Sequence, residues 1–88
     1  MAWNIIWSPT AQKQLQKISK SDNNAAQRIV AKLEGITDSP FEFTDKLHGS
    51  KLRKLRVGIY RVIMSLEEQK LIIFVVEVDH RSKIYNKY

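Results

Sequence analysis

The sequence predicts an α+β domain in which a helix hairpin packs on one face of a mainly antiparallel sheet. Apolar residues recur at helical spacing in the first half of the chain, whereas the second half alternates or runs continuously apolar, as strands do. Short polar or glycine turns separate these later segments, which favours antiparallel pairing. With 88 residues, 43% of them hydrophobic, the chain is long enough for one core, so residues 1–88 are expected to form a single domain.

The first half is predicted to form one strand and two helices. Trp3–Trp7 is aromatic and β-branched, which indicates a strand. Ser8 suits a helix N-cap and Pro9 the first helical turn, so the first helix begins here. A polar turn at 19–24 leads to the second helix, which ends near Gly35. The apolar stripes of the two helices are Ala11, Leu15 and Ile18, and then Ala26, Ile29, Val30, Leu33 and Ile36.

Three strands are predicted in the second half: Leu52–Val57, Ile59–Leu66 and Lys70–Val78. Gly58 marks a tight turn between the first two, and residues 67–69 form the next loop. Trp3–Trp7 joins at an edge or beside the central strand to complete a four-stranded sheet. Because residues alternate between faces along a strand, Lys54 and Arg56 are expected on the face that the helices leave open.

Two segments have weaker patterns. The connection Thr37–Gly49 contains Phe41 and Phe43, which we expect to pin it to the core. The tail Asp79–Tyr88 is polar, and we expect it to be irregular or to form one short helical turn.

The composition excludes several classes of protein. The absence of cysteine rules out a disulfide framework, a thiolate zinc site and a cysteine nucleophile, and it fits a cytoplasmic location. No run of 18 apolar residues is present, so we expect no membrane span. The acidic residues are scattered, which disfavours a two-metal nuclease or a two-carboxylate hydrolase. Asp45 and His48 alone are a weak metal signal, so no metal or cofactor is expected.

Positive charge is concentrated in one segment. The net charge is +6, and no acidic residue occurs between Lys46 and Leu66. The cations of this segment are Lys46, Lys51, Arg53, Lys54, Arg56 and Arg61. A cluster of this kind favours an anionic partner such as nucleic acid, an acidic protein or a membrane surface.

Several of these residues are expected to converge, although each has a plainer explanation. Lys54 and Arg56 are often simply solvated when they stand on an open sheet face. Arg61 is predicted opposite Arg56, where it either pairs with a carboxylate such as Glu77 or stays available for an anion. His80, Arg81 and Tyr85 follow the last strand; Arg81 pairs with Asp79 or joins the cluster, and Tyr85 is a tail anchor or a site residue. Together the cations indicate an anion site, because their mutual repulsion is costly without a ligand.

The segment Lys-Leu-Arg-Val-Gly-Ile-Tyr-Arg-Val-Ile at 54–63, followed by His80, Arg81 and Tyr85, resembles the RelE toxins of the RelE/ParE superfamily. The order of the predicted elements also matches this RelE-like, microbial RNase-type fold. The resemblance implies a toxin of a type II toxin–antitoxin system that enters the ribosomal A site and cleaves the mRNA codon there. It implies a metal-independent reaction, in which the 2′-hydroxyl attacks the adjacent phosphate and leaves a 2′,3′-cyclic or 3′-phosphate and a 5′-hydroxyl.

The resemblance also implies roles for residues. Arg61 binds the scissile phosphate, and Arg81 stabilises the transition state or protonates the leaving 5′-oxygen. Lys54 activates the 2′-hydroxyl as a base or electrostatically, and Tyr85 stacks on or orients a nucleobase. The residues expected to bind RNA more generally are Lys51, Arg53, Arg56 and His80. One departure is Leu52, which stands where the best-known member of this branch has a second functional lysine.

The implied partners are a cognate RelB-like antitoxin and the A site of the 30S ribosomal subunit with its mRNA and ribosomal RNA. Operator DNA is expected to be bound only through the antitoxin. Two alternatives remain open: a ParE-like inhibitor of DNA gyrase, and a degenerate nucleic-acid-binding module without catalysis.

Overall fold

The computed structural model describes residues 2–88, which form five strands and four helices. In chain order these are β1 (Asn4–Trp7), α1 (Pro9–Ser21), α2 (Asn23–Gly35), α3 (Pro40–Phe43), β2 (Asp45–Lys46), β3 (Arg53–Val57), β4 (Tyr60–Glu67), β5 (Ile72–His80) and α4 (Arg81–Lys87). None of the helices in the described part of the chain has the length and hydropathy needed to span a lipid bilayer.

The strands form one sheet in the order β1-β5-β4-β3-β2, in which only the β1–β5 pair is parallel. The predicted α+β class and mainly antiparallel sheet are therefore confirmed, and β1 lies at the edge. The predicted number of four strands is wrong, because β2 adds a fifth. This strand consists only of Asp45 and Lys46, opposite Lys54 and Arg53, and two residues are too few to show an alternating pattern.

Both predicted helices begin at side-chain caps. The Ser8 hydroxyl accepts a hydrogen bond from the Ala11 N–H at 3.0 Å and donates one to the Val76 carbonyl at 2.7 Å, which ties the start of α1 to β5. The Asp22 carboxylate accepts from the Ala25 N–H at 3.1 Å and begins α2. α2 ends at Gly35, as the sequence predicts.

The helix hairpin buries its apolar stripe against one face of the sheet. The residues of this core on the helices are Ala11, Ile18, Ala25, Ala26, Ile29 and Leu33, and Ile36 joins them directly after α2. They meet Leu55, Val57, Val62, Met64, Ile73, Val75 and Val78 from the central strands. Burial of each large aliphatic side chain contributes about 1.5–3 kcal/mol, so this layer is the main source of stability.

The connection between α2 and β3 differs from the prediction. Phe43 does not pin it to the core, because its side chain is 57% exposed, and Phe41, at 43% exposed, reaches the core only through one edge-on contact. The short helix α3 turns its first residue, Pro40, inward, and Thr44 is the other buried residue. The partner of Phe41 in that contact is Trp3, a member of the core, with 5.8 Å between ring centroids.

The tail forms a seven-residue helix, whereas the sequence predicts an irregular segment or one short helical turn. His80 is its N-cap, and the His80 Nδ1 atom accepts a hydrogen bond from the Ser82 N–H at 3.1 Å. Ile84 is 2% exposed and anchors α4, which packs on β4 and β5. One apolar residue among polar ones gives too little periodicity to predict a helix from sequence.

Candidate functional site

The sheet face opposite the helix hairpin carries the predicted cations. Arg56 lies directly opposite Arg61 on the neighbouring strand, and Arg61 lies opposite Asp79. In the next row, Ile63 is flanked by Lys54 and Glu77. Residues opposite each other in antiparallel strands point to the same face, so these two rows form one surface. We call it the cation face; α4 covers its middle, where Ile63 is fully buried.

Arg61 is the buried centre of this face. It is 1% exposed, and its Nη1 donates hydrogen bonds to the carbonyl oxygens of Gly58 and Tyr60, both at 2.8 Å. No carboxylate pairs with it within residues 2–88, so the alternative in which Glu77 neutralises Arg61 is wrong. Its Nε is also the one buried side-chain polar atom of the described residues that has no hydrogen-bond partner. The guanidinium is therefore rigidly placed with unused positive charge.

The turn between β3 and β4 fixes this arrangement. Gly58 has φ +60°, a conformation that side-chain-bearing residues rarely adopt, and it permits the two-residue turn between Val57 and Tyr60. The turn aligns Arg56 with Arg61, and its own carbonyl oxygen receives the Arg61 side chain. The glycine that the sequence analysis assigned to a tight turn thus also orients the central arginine.

Tyr85 lies over Arg61. The Cζ atom of Arg61 is 6.0 Å from the centroid of the Tyr85 ring, and the ring is 57% exposed. Interaction with the Arg61 guanidinium lowers the pKa of the Tyr85 hydroxyl, and the charges of Lys54 and Arg56 act in the same direction. The structure thus brings Lys54, Arg56, Arg61 and Tyr85 together, with one aromatic ring open to a ligand.

A groove of about 350 Å³ adjoins this cluster. Its lining residues are Lys46, Leu47, His48, Lys54, Ile84, Tyr85 and Tyr88. Nothing in the sequence indicates Leu47 or Tyr88 as site residues, whereas Lys46 and His48 lie in the acid-free segment. The groove combines cations with two exposed aromatic rings, which is the surface that an unpaired nucleotide prefers.

Arg81 and His80 stand at the start of α4. The Arg81 side chain is exposed and forms no ion pair with Asp79 in the described part of the chain, while its backbone N–H donates to the Ile59 carbonyl at 2.8 Å. His80 is half-buried, its ring packs edge-on to Tyr60, and its Nδ1 lies 2.9 Å from the Ser82 hydroxyl. His80 therefore has a structural task as a helix cap.

Arg53 does not join the cation face. It lies opposite Met64, on the face of the helix hairpin. Its Nε donates to the Thr44 hydroxyl at 2.7 Å, its Nη2 donates to the Thr44 carbonyl at 2.7 Å, and its guanidinium lies 5.2 Å from the Phe41 ring centroid. These contacts oppose the predicted RNA-binding role, because the donors hold the connection instead. Lys51 is exposed in the loop before β3.

The described residues, 2–88, contain no group of three histidine, cysteine, aspartate or glutamate side chains placed to hold a metal ion. The chemistry available on this face is therefore that of fixed and mobile cations, an aromatic ring and a hydroxyl. Such groups bind a phosphodiester and stabilise negative charge that develops on it.

Comparison with known proteins gives concordant results. Residues 5–85 match the family model described as the ParE toxin of the type II toxin–antitoxin system parDE. The chain is 32% identical over 88 residues to the protein named "Putative toxin RelE4" of Methanocaldococcus jannaschii, and the match covers 97% of this chain and 93% of that protein.

Solved structures of RelE toxins are similar to this chain in fold. A doubly substituted RelE toxin of E. coli in the free state is 25% identical, has a TM-score of 0.76, and matches 98% of this chain and 93% of its own. The intact E. coli RelBE toxin–antitoxin complex contains a chain that is 25% identical with a TM-score of 0.75, covering 90% of this chain and 96% of that one.

Proposed function

Because the chain belongs to the RelE/ParE superfamily of toxins from type II toxin–antitoxin systems, we propose that it is a ribosome-dependent endoribonuclease. It cleaves mRNA in the A site of the 30S subunit and so arrests translation in the cytoplasm. The observation that supports this most directly is the cation face, in which Arg61 is buried beside an exposed tyrosine and forms no ion pair with any carboxylate of residues 2–88. A buried cation without a counter-ion is costly to fold, and an incoming phosphate supplies the missing charge.

The groups that take part in bond making and breaking are these side chains and the 2′-hydroxyl, phosphate and 5′-oxygen of the RNA. The 2′-oxygen bonds to the adjacent phosphorus and loses its proton, while the bond from phosphorus to the 5′-oxygen breaks and that oxygen gains a proton. Arg61 holds the phosphate and stabilises the charge of the pentavalent transition state. Lys54 activates the 2′-hydroxyl, and Arg81, on an exposed helix start, reaches the leaving oxygen. The ribosome contributes the alignment of the RNA.

The bases are held by the aromatic part of the surface. Tyr85 stacks on a nucleobase next to the scissile phosphate, and the adjoining groove accepts the neighbouring nucleotide. Arg56 and Lys51 are exposed and contact phosphates of ribosomal RNA, which gives affinity that falls with salt.

A RelB-like antitoxin is the proposed inhibitor. The E. coli RelE toxin and an archaeal relative from Pyrococcus horikoshii are both known in complex with RelB. A partner of this kind neutralises the toxin, and the complex binds operator DNA through the antitoxin alone.

The test is primer extension on a reporter mRNA in a purified translation system, with and without ribosomes. We expect cuts only with ribosomes and only within A-site codons. A matched pair of variants is Arg61→Lys, which changes the centre of the cation face, and Arg28→Lys, an exposed residue of α2. Absence of cuts with folded, toxic protein would overturn the proposal.

Inhibition of DNA gyrase is a second candidate, favoured by the match to the ParE family model over residues 5–85. On that alternative, purified protein inhibits gyrase supercoiling, and its expression produces DNA breaks instead of truncated mRNA.

A further inference from the structure

The last turn of the chain is fastened to one buried carboxylate. Glu77 on β5 is 5% exposed, and three side chains donate hydrogen bonds to it. Gln14 of α1 donates to Oε1 at 3.2 Å, Lys87 Nζ donates to Oε1 at 2.6 Å, and the Tyr88 hydroxyl donates to Oε2 at 2.8 Å. The pair of Glu77 and Lys87 is the one ion pair among residues 2–88. We call this set the tail clamp.

The tail clamp fixes the C-terminal end of α4, the helix that carries Tyr85. A seven-residue helix is not stable by itself, so contacts with the rest of the protein must hold it. The first of these contacts are the His80 cap and the hydrogen bond from the Arg81 N–H to the Ile59 carbonyl. The next is the buried Ile84, and the last is the tail clamp. Tyr85 lies between them and is too exposed to fix its own position.

The clamp also stands on the cation face. Glu77 is opposite Ile63, one row along the sheet from the pair of Arg61 and Asp79. Its charge is satisfied by Lys87, a residue that is otherwise 59% exposed at its side chain. The carboxylate that the sequence suggests as an ion-pair partner of Arg61 is therefore already bound by the donors of the tail clamp.

We propose that Glu77 is a positioning residue for the phosphate site: by holding Lys87 and Tyr88 it seats α4, and α4 keeps Tyr85 over Arg61. The inference rests on the proposed function for its effect on catalysis, while its structural part concerns the tail alone. Without the clamp, the ring of Tyr85 leaves Arg61, although the sheet and its helix hairpin remain folded.

The first measurement is a pH titration of tyrosine ring resonances by NMR on ring-labelled full-length protein, without ribosomes. In Glu77→Gln, we expect the pKa of Tyr85 to rise toward its ordinary value, because the ring no longer lies beside Arg61. The pKa of Tyr88, which burial and the hydrogen bond to Glu77 raise to about 12, should fall. The matched control is Glu68→Gln, an exposed glutamate in the loop before β5, which should move neither resonance.

The second measurement is the cleavage rate on programmed ribosomes. We expect Glu77→Gln to lower kcat by about 10- to 100-fold with little change in KM, as misplacement of a catalytic group does. In a Tyr85→Phe background the same substitution should still cost activity, because the phenyl ring also needs seating, whereas in a Tyr85→Ala background its effect should largely vanish. Lys87→Met and Tyr88→Phe, which change only the exposed end of the clamp, should reproduce part of the loss if Glu77→Gln does not fold.

The outcomes separate the two proposals. If Tyr85 titrates in Glu77→Gln as in the parent protein, the positioning role is overturned, whatever the cleavage rate. If the Tyr85 titration shifts but the parent protein cuts no mRNA, the tail clamp stands and the proposed nuclease function fails. An equal loss of kcat in the Tyr85→Ala background would also overturn the route through Tyr85.

Discussion

The two faces of the sheet each hold an arginine, and the two arginines differ in how their hydrogen-bond donors are satisfied. On the helix-covered face, Arg53 donates hydrogen bonds to Thr44 and to the carbonyl of Phe41, and these bonds hold the connection against β3. On the cation face, Arg61 is more deeply buried, yet among residues 2–88 its Nε has no hydrogen-bond partner and no carboxylate forms an ion pair with it. Since buried polar atoms are nearly always satisfied, this difference distinguishes a residue that supports the fold from the one that we propose binds a phosphate.

The comparison also shows why charge density alone did not identify the site. Arg53 and Arg61 belong to the same acid-free segment and look equivalent in sequence. The pairing of β3 with β4 sends Arg53 to one face and Arg61 to the other. Face and hydrogen-bond partners, more than net charge, distinguish their roles.

The largest expected effect is on the cation face. Arg61→Lys should reduce A-site cleavage by roughly 100- to 1,000-fold, because lysine lacks the planar guanidinium that, with Nη1 held by two carbonyls, keeps Nε as a fixed, free donor. Single-turnover cleavage on programmed ribosomes measures it, with the thermal midpoint as a folding check. Activity within a few-fold of the parent protein would show that the unpaired guanidinium is not used.

On the opposite face, Arg53→Ala should affect stability and spare chemistry. Loss of its hydrogen bonds to the connection should lower the free energy of unfolding by about 1–3 kcal/mol. Cleavage per folded molecule should be unchanged, since Arg53 is remote from the cation face. Urea denaturation and the cleavage assay measure the two quantities on the same protein. A loss of activity without a loss of stability would restore Arg53 as an RNA contact.

The tail clamp gives a pH dependence of stability. Burial raises the pKa of Glu77, but the donors Lys87, Tyr88 and Gln14 outweigh it and lower the pKa below the ordinary 4.5. The ionised form is therefore favoured in the folded protein; its stabilisation is full above that ordinary pKa and is lost as pH falls through the lowered value. The parent protein should melt roughly 5 °C above Glu77→Gln at neutral pH, about 1 kcal/mol. Calorimetry should show the gap closing in acid, and a constant gap would contradict this sign.

The smallest expected effect concerns Arg56, the exposed member of the cation face. Arg56→Ala should leave the thermal midpoint unchanged and reduce the slope of log affinity against log salt by roughly one. Ribosome binding measured over a salt series tests this, with Lys13→Ala on the exposed side of α1 as the control. An unchanged slope would remove Arg56 from the RNA contacts.

Much of this molecule was predictable from the sequence because its signals are local. The start of α1 follows from Ser8 and Pro9, and the buried faces of the helices follow from their apolar stripes. The Gly58 turn sets the register of β3 with β4. The juxtaposition of Arg56 and Arg61 could therefore be expected.

The parts that could not be predicted depend on contacts between distant segments. The tail clamp joins Gln14 to Glu77 across 63 residues, and no sequence pattern in either segment predicts this hydrogen bond. β2 is too short for periodicity, and the exposure of Phe41 and Phe43 depends on how α3 turns. The sequence also does not determine whether Arg61 has an ion-pair partner. Glu77 is a plausible one, and only the structure shows that Gln14, Lys87 and Tyr88 bind its carboxylate.

The parallel pairing of β1 with β5 has a consequence for the timing of folding. The first and last strands of the described residues pair with each other, and the Ser8 hydroxyl donates to the Val76 carbonyl across 68 residues. Contacts of such long range form late, since the chain entropy of closing the loop opposes them. A nascent chain can form the hairpin of β3 and β4, but Arg81 and Tyr85 join it only after β5 and α4 have left the ribosome. The cation face is therefore complete only once residues 72–87 are available to pair with β4 and to cover the sheet.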